Sequence, residues 1–182
     1  MVKRKCREKI TAVVFAAFCC VSFTVNGASL AQKTRAASGT GSSSTVTGSK
    51  ILYTNKQYGF TFTLPASWKG FKVLSGQWNG LSNTAAENTI AKGPMRTLRN
   101  PTWTKVSPYQ DIPIMIFTLS QWNAMQNDKF HVSAAPVPPY EIGRNNLYVF
   151  ALPPRYNFAF PRGYKDVEEI IESKPLKPIT IK

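Results

Sequence analysis

The sequence predicts an α+β domain: a central antiparallel sheet flanked by helices, with an amphipathic helix toward its C-terminal end. Three stretches carry that prediction. Phe60-Thr61-Phe62-Thr63-Leu64 alternates strictly, which puts Phe60, Phe62 and Leu64 on one face of a strand. Residues 112–119 (IPIMIFTL) and 147–152 (LYVFAL) are apolar at almost every position, as in strands covered on both faces. In residues 164–173, Tyr164, Val167, Ile170 and Ile171 share one helical face, while Asp166, Glu168, Glu169 and Glu172 turn toward solvent.

The remaining elements follow in chain order from Ile51, the expected start of the domain. Pro65 ends the alternating strand, and residues 66–69 form one helical turn that lowers Trp68 onto the sheet. Gly70 permits a reversal into a second strand over 71–78. A short helix is expected around 85–91 and another strand at 95–98. Residues 100–111, with Pro101 and Pro108, read as a connecting loop. Pro113 is tolerable only at the beginning of the central strand. Ser120 is the expected N-cap of a short helix over 121–128, whose apolar edge holds Trp122 and Met125. Strands at 140–143 and 147–152 flank Arg144-Asn145-Asn146, where asparagine is expected to supply the positive φ of a tight turn. A single globular domain over 51–173 results, followed by a basic tail at 174–182.

Ahead of the domain, residues 1–31 have the three parts of a secretory signal peptide. Lys3, Arg4, Lys5, Arg7 and Lys9 precede an uncharged apolar run at 10–25, and Ser29-Leu30-Ala31 offers the small residues that signal peptidase reads. Cleavage is therefore expected after Ala31. Two alternatives remain. The run could stay as an N-terminal membrane anchor, although its 16 residues fall short of the roughly 20 that span a bilayer. Cys19 or Cys20 could carry a lipid, although Phe18 precedes the first and the apolar run continues beyond both. Residues 32–50, rich in Ser, Thr and Gly, read as a flexible tether.

All three cysteines lie in the leader, which excludes disulfides and thiolate chemistry from the exported part. The formal charge is +14; without residues 1–31 there remain 18 basic and 8 acidic residues, hence +10. Four of those acids fall at 166–172, so one side of the domain should carry a strong positive field.

The run Tyr58-Gly59-Phe60-Thr61-Phe62, with Leu64-Pro65 and Trp68 after it, resembles the opening of PsbP-like domains. That resemblance implies a central antiparallel sheet with helices on both sides, closed by a C-terminal helix. It also implies a small exported domain that supports a larger assembly without catalysis. Residues 51–173 are similar, too, to uncharacterised exported proteins of Gram-positive bacteria, in stretches such as Asp111-Ile112-Pro113-Ile114-Met115 and Phe150-Ala151-Leu152-Pro153. No metal or partner-binding position carries over from either group.

His131 is the only histidine and has no second His or Cys to join it, so no metal is expected, and no motif asks for a cofactor. Asp111 and Glu141 are the carboxylates that could act as acid and base in a glycan hydrolase; solvated or ion-paired surface groups are the simpler reading. Trp78, Trp103, Arg155, Tyr156, Phe158 and Arg162 are the candidate ligand-binding residues. Aromatics interleaved with arginine stack on sugar or base rings or dock at a membrane edge, unless they are folded inward as a proline-bounded loop.

The charge points to an anionic cell-wall polymer, a membrane surface or another envelope protein as partner; no nucleic-acid motif accompanies it. The expected function is a noncatalytic, envelope-associated binding or accessory domain. A glycan-acting hydrolase, or an inhibitor or accessory of another secreted enzyme, is the alternative.

Overall fold

Alternation makes Phe60, Phe62 and Leu64 the buried members of a strand, with Thr61 and Thr63 half-buried on its other face. The computed structural model describes residues 42–47, 50–84, 88–134 and 137–182; the expected signal peptide and most of the expected tether lie outside them. Nine strands and two α-helices are present among the described residues. The first sheet contains β1 (Ser42–Thr47), β2 (Lys50–Asn55), β3 (Phe60–Pro65) and β9 (Leu176–Pro178), antiparallel and in the spatial order β1-β2-β3-β9.

Both ends of this sheet correct the expected domain bounds. β1 lies within the stretch expected to be a tether and pairs along its length with β2, Val46 opposite Ile51. A ladder is made by backbone groups, so a Ser/Thr-rich segment can form an edge strand. β9 lies within the expected tail. There Leu176 is buried and pairs with Phe62.

The second sheet contains β4 (Lys72–Leu81), β5 (Thr89–Arg99), β6 (Ile112–Thr118), β7 (Tyr140–Arg144) and β8 (Tyr148–Leu152), all antiparallel, in the order β4-β5-β6-β8-β7. β6 is its middle strand. Ile112, Ile114 and Ile116 fill one face and Met115 and Phe117 the other, none more than 3% exposed. Pro113 sits at the second position, where the strand is only beginning. Of the helix expected around 85–91, residues 85–87 lie outside the described residues, and 89–91 belong to β5 instead. There, pairing of Ala91 with Gly80 and of Thr89 with Leu81 overrides a weak local preference.

The main core lies between the two sheets. Phe60, Phe62 and Leu64 meet Ile112, Ile114, Ile116, Phe150 and Leu152, and Trp68 joins them from a 3-10 turn at Ala66–Trp68. Helix α2 (Tyr164–Glu172) adds Val167 and Ile170, and the chain then continues into β9. A second cluster covers the opposite face of β6 and β8, where helix α1 (Leu119–Gln126) lays Trp122 and Met125 near Phe117 and Val149. Among the described residues, both clusters draw on positions between Ile51 and Leu176.

The N-cap of α1 is Thr118, not Ser120. Thr118 Oγ1 accepts from the Gln121 amide at 3.1 Å, while Gln121 Oε1 accepts from the Thr118 amide at 3.0 Å. This reciprocal box satisfies two donors at once, which a serine two residues later does not match.

The β7–β8 turn also works differently from expectation. Neither Asn145 nor Asn146 has positive φ. Asn145 uses its side chain instead: Oδ1 accepts from the amides of Leu147 and Tyr148, and Nδ2 donates to the carbonyls of Tyr58, Gly59 and Ile179. Asn146 exchanges two hydrogen bonds with the backbone of Ile181, both 2.9 Å. The segment after β9 is thereby strapped to the turn between β2 and β3.

Candidate functional site

Two loops at one end of the second sheet bring most of the sequence-predicted site residues together. The first, residues 100–111, is ordered from its start by Asn100, whose Oδ1 accepts from the amide and hydroxyl of Thr102 at 2.9 and 2.7 Å. Arg99, just before it, donates to both oxygens of Asp111, the shortest contact being 2.7 Å. The same guanidinium lies 3.9 Å from the Trp103 ring centroid, so Trp103 is half-buried beneath a cation.

The second loop, residues 153–163, is a stack of turns. Phe158 N donates to Arg155 O, Phe160 N to Asn157 O and Tyr164 N to Pro161 O, at 2.9–3.0 Å. Arg155 and Phe160 adopt left-handed backbone angles, φ 51° and 44°. For a residue with the bulk of phenylalanine that is a strained conformation. Phe158 and Phe160 are 69% and 65% exposed, with Arg155 and Arg162 exposed beside them.

Hydrogen bonds join the loops. Gln110 donates from its amide to Arg162 O at 2.8 Å and from Nε2 to Tyr156 O at 3.1 Å, and Arg162 Nη2 donates to Thr102 O at 2.9 Å. Tyr109 lies against Gly163, the φ 80° residue that opens α2, and any Cβ at 163 would run into its ring. The Tyr109 hydroxyl donates to Asp166. Burial first, and then that hydrogen bond, push the phenol up to about 12 from an ordinary 10.0. Since the folded protein holds this proton more tightly than the unfolded chain, stability is complete below pH 10 and falls as pH rises toward 12. Urea unfolding across that window should show the loss, and Tyr109→Phe should flatten it.

The six candidate ligand residues therefore separate. Arg155, Phe158 and Arg162 are exposed; Trp103 and Tyr156 are half-buried, Tyr156 against the main core. Trp78 is a correction. It is 4% exposed, stacked 4.3 Å from the Phe117 ring and 6.0 Å from Phe130, and its Nε1 donates to Ile116 O at 2.8 Å. As a candidate for ligand binding it was expected at the surface, but cross-strand Gly93 makes room for the ring inside: a Cβ there would lie 2.5 Å from it.

Asp111 and Glu141 do not form an acid–base pair. Asp111 is turned toward β5 by Arg99, and Glu141 is held by Arg144 within β7. Strand register places Glu141 opposite Ala151, and Ala151 opposite Met115. With four residues from Met115 back to Asp111, the two backbones are about 16 Å apart, against roughly 5–9.5 Å between glycosidase carboxyls. His131 Nδ1 pairs with Asn83 Oδ1 at 2.8 Å, and its backbone bridges to Leu81. Among the described residues no three potential metal ligands come together.

A second region escaped the sequence reading. Ser75, Gln77 and Asn79 of β4 stand opposite Arg96, Pro94 and Lys92 of β5. With Tyr58, most of them line a groove of about 540 Å³. Arg96 lies over the Tyr58 ring at 5.2 Å and donates to Gln57 Oε1 at 3.3 Å. No carboxylate lines the groove among the described residues. Its only signal in the sequence is the spacing of Lys92 and Arg96, which acquires meaning once the β4–β5 register is known.

No family model, no curated protein and no solved structure matches this chain.

Proposed function

We propose that this is an exported, noncatalytic binding domain held at the cell envelope through its positive charge, with an anionic wall polymer or lipid surface as its partner. One observation carries the reading. The described carboxylates are either matched to arginine, as Asp111 and Glu141 are, or gathered on α2, except for Asp128. Lys92 and Arg96 are left lining a groove without a counter-charge. Surface cations that lack acidic partners sum to a field that attracts polyanions and is screened by salt.

The PsbP-like architecture belongs to the same proposal. It is supported by the Tyr58-Gly59-Phe60 strand opening, the inward Trp68 and the five-stranded antiparallel sheet, with α1 against one face and α2 in the cluster on the other. The expected location outside the cytoplasm rests on the leader.

The test is retention of residues 32–182 on purified anionic wall polymer and on vesicles containing phosphatidylglycerol. Retention should fall steeply between low and moderate salt, and Lys92→Glu with Arg96→Glu should weaken binding to the polymer by at least roughly tenfold. Retention that ignores salt, or no retention on either material, overturns the proposal.

A further inference from the structure

We infer that the paired loops form a docking surface for an anionic lipid bilayer, with Phe158 and Phe160 entering the acyl boundary and Arg155 and Arg162 meeting headgroup phosphates. This rests on the envelope reading above and names its partner and site.

The argument begins with cost. A loop of eleven residues could fold its rings inward, as Tyr156 does against the core. Instead, Phe160 is held at φ 44° and Phe158 and Phe160 stand 69% and 65% exposed. The turn hydrogen bonds within the loop and the Gln110 contacts beneath it hold this arrangement in place before any partner arrives. Strain kept in a well-braced loop is a mark of a working surface.

The chemistry of the neighbours selects lipid over sugar. A glycan site sets amide or carboxylate groups beside its rings to meet hydroxyls. Here Ala159 and Pro161 separate and follow the rings, the Asn157 amide is committed to Glu168, and Asp166, the carboxylate that shares a hollow with Phe160, is occupied by the Tyr109 hydroxyl. The loop joined to it carries a further exposed aliphatic side chain, Val106 at 96%, next to Lys105. An aliphatic side chain does nothing for a sugar but suits hydrocarbon. Apolar tips rimmed by arginine and lysine match the two layers of an anionic membrane surface.

The acids of α2 keep their charge, and Arg155, Arg162, Lys105 and Lys165 stand exposed against them on the loops and the first turn of the helix. Asp166 accepts from Tyr109 and Glu168 from Asn157. Glu169 and Glu172 follow Tyr164 by about 8 and 12 Å along the helix axis, at roughly 1.5 Å per residue.

The experiment uses residues 32–182 with vesicles of phosphatidylcholine alone or mixed with phosphatidylglycerol. The protein should sediment with the mixed vesicles and not with the neutral ones. Phe158→Ala combined with Phe160→Asn, which tolerates the left-handed backbone, should weaken binding by on the order of tenfold per ring with an unchanged unfolding midpoint. Arg155→Gln and Arg162→Gln should each weaken it about fivefold. In a Phe160→Trp variant, binding should persist and bromine-labelled acyl chains should quench a larger share of the emission than in the parent, which already carries four tryptophans.

Vesicle binding that ignores the ring substitutions, or emission from the Phe160→Trp variant that labelled chains quench no more than the parent's, overturns this inference and leaves the electrostatic proposal standing. Salt-sensitive binding to wall polymer with none to mixed vesicles does the same. Binding to neither material overturns both.

Discussion

Trp78→Ala should lower the free energy of unfolding by about 3–5 kcal/mol, measured by urea denaturation. The ring stacks between Phe117 and Phe130, and its Nε1 donates to the Ile116 carbonyl, so truncation empties the second core cluster at its centre. The cavity cannot close easily, because β4 and β5 are fixed by a ladder of ten registered pairs. Trp78→Phe keeps an aromatic stack and loses the donor, so it should cost only about 1–2 kcal/mol. That milder variant should bind anionic vesicles as the parent does. A loss below about 1 kcal/mol for Trp78→Ala would show that the ring is not packed as described.

Gly59→Ala should be nearly as damaging, at about 3 kcal/mol. The φ of 68° alone costs an alanine about 1–2 kcal/mol. The added methyl would also lie 2.6 Å from Ile179 O, 2.7 Å from Ile181 Cγ1 and 2.9 Å from Asn145 Nδ2, so the strap after β9 must lift. Gly76→Ala provides the contrast. Its φ is ordinary for any residue, and its Cβ would meet only the flexible end of Met95 at 3.4 Å. Differential scanning calorimetry should find Gly76→Ala within about 0.5 kcal/mol of the parent. Equal losses at the two glycines would remove the close-approach argument.

Legibility in the sequence followed the reach of each signal. β3, β6 and β8 could be read directly because burial repeats with the two-residue period of a strand, or covers both faces. α2 was equally open, its apolar stripe spaced for a helix. β1 and β9 were not: a Ser/Thr edge strand and a three-residue strand have no burial pattern of their own and exist through the partners that β2 and β3 supply. Asn145 illustrates the limit more sharply. Its presence in a turn was readable, but its role of bonding three distant carbonyls depends on Tyr58, Gly59 and Ile179 arriving from elsewhere.

The site was divided along the same line. Residues 155–162 could be singled out because aromatic and cationic residues alternate locally. Exposure of Phe158 and burial of Trp78 depended on tertiary surroundings, above all on Gly93 opposite Trp78. Asp111 and Glu141 were selected by chemical type, and type alone says nothing of the arginine beside each. The Lys92–Arg96 groove needed a register that no local pattern encodes.

The join between β3 and β9 links the two extremes of the domain. Thr61 and Lys177 are opposite one another but 116 positions apart along the chain. Until the later residues emerge, the Phe60–Leu64 strand lacks its second neighbour and the sheet retains a sticky, unsealed border. Closing that border joins segments so distant that it is among the slowest contacts to form, and it completes only once the trailing portion is free to pair.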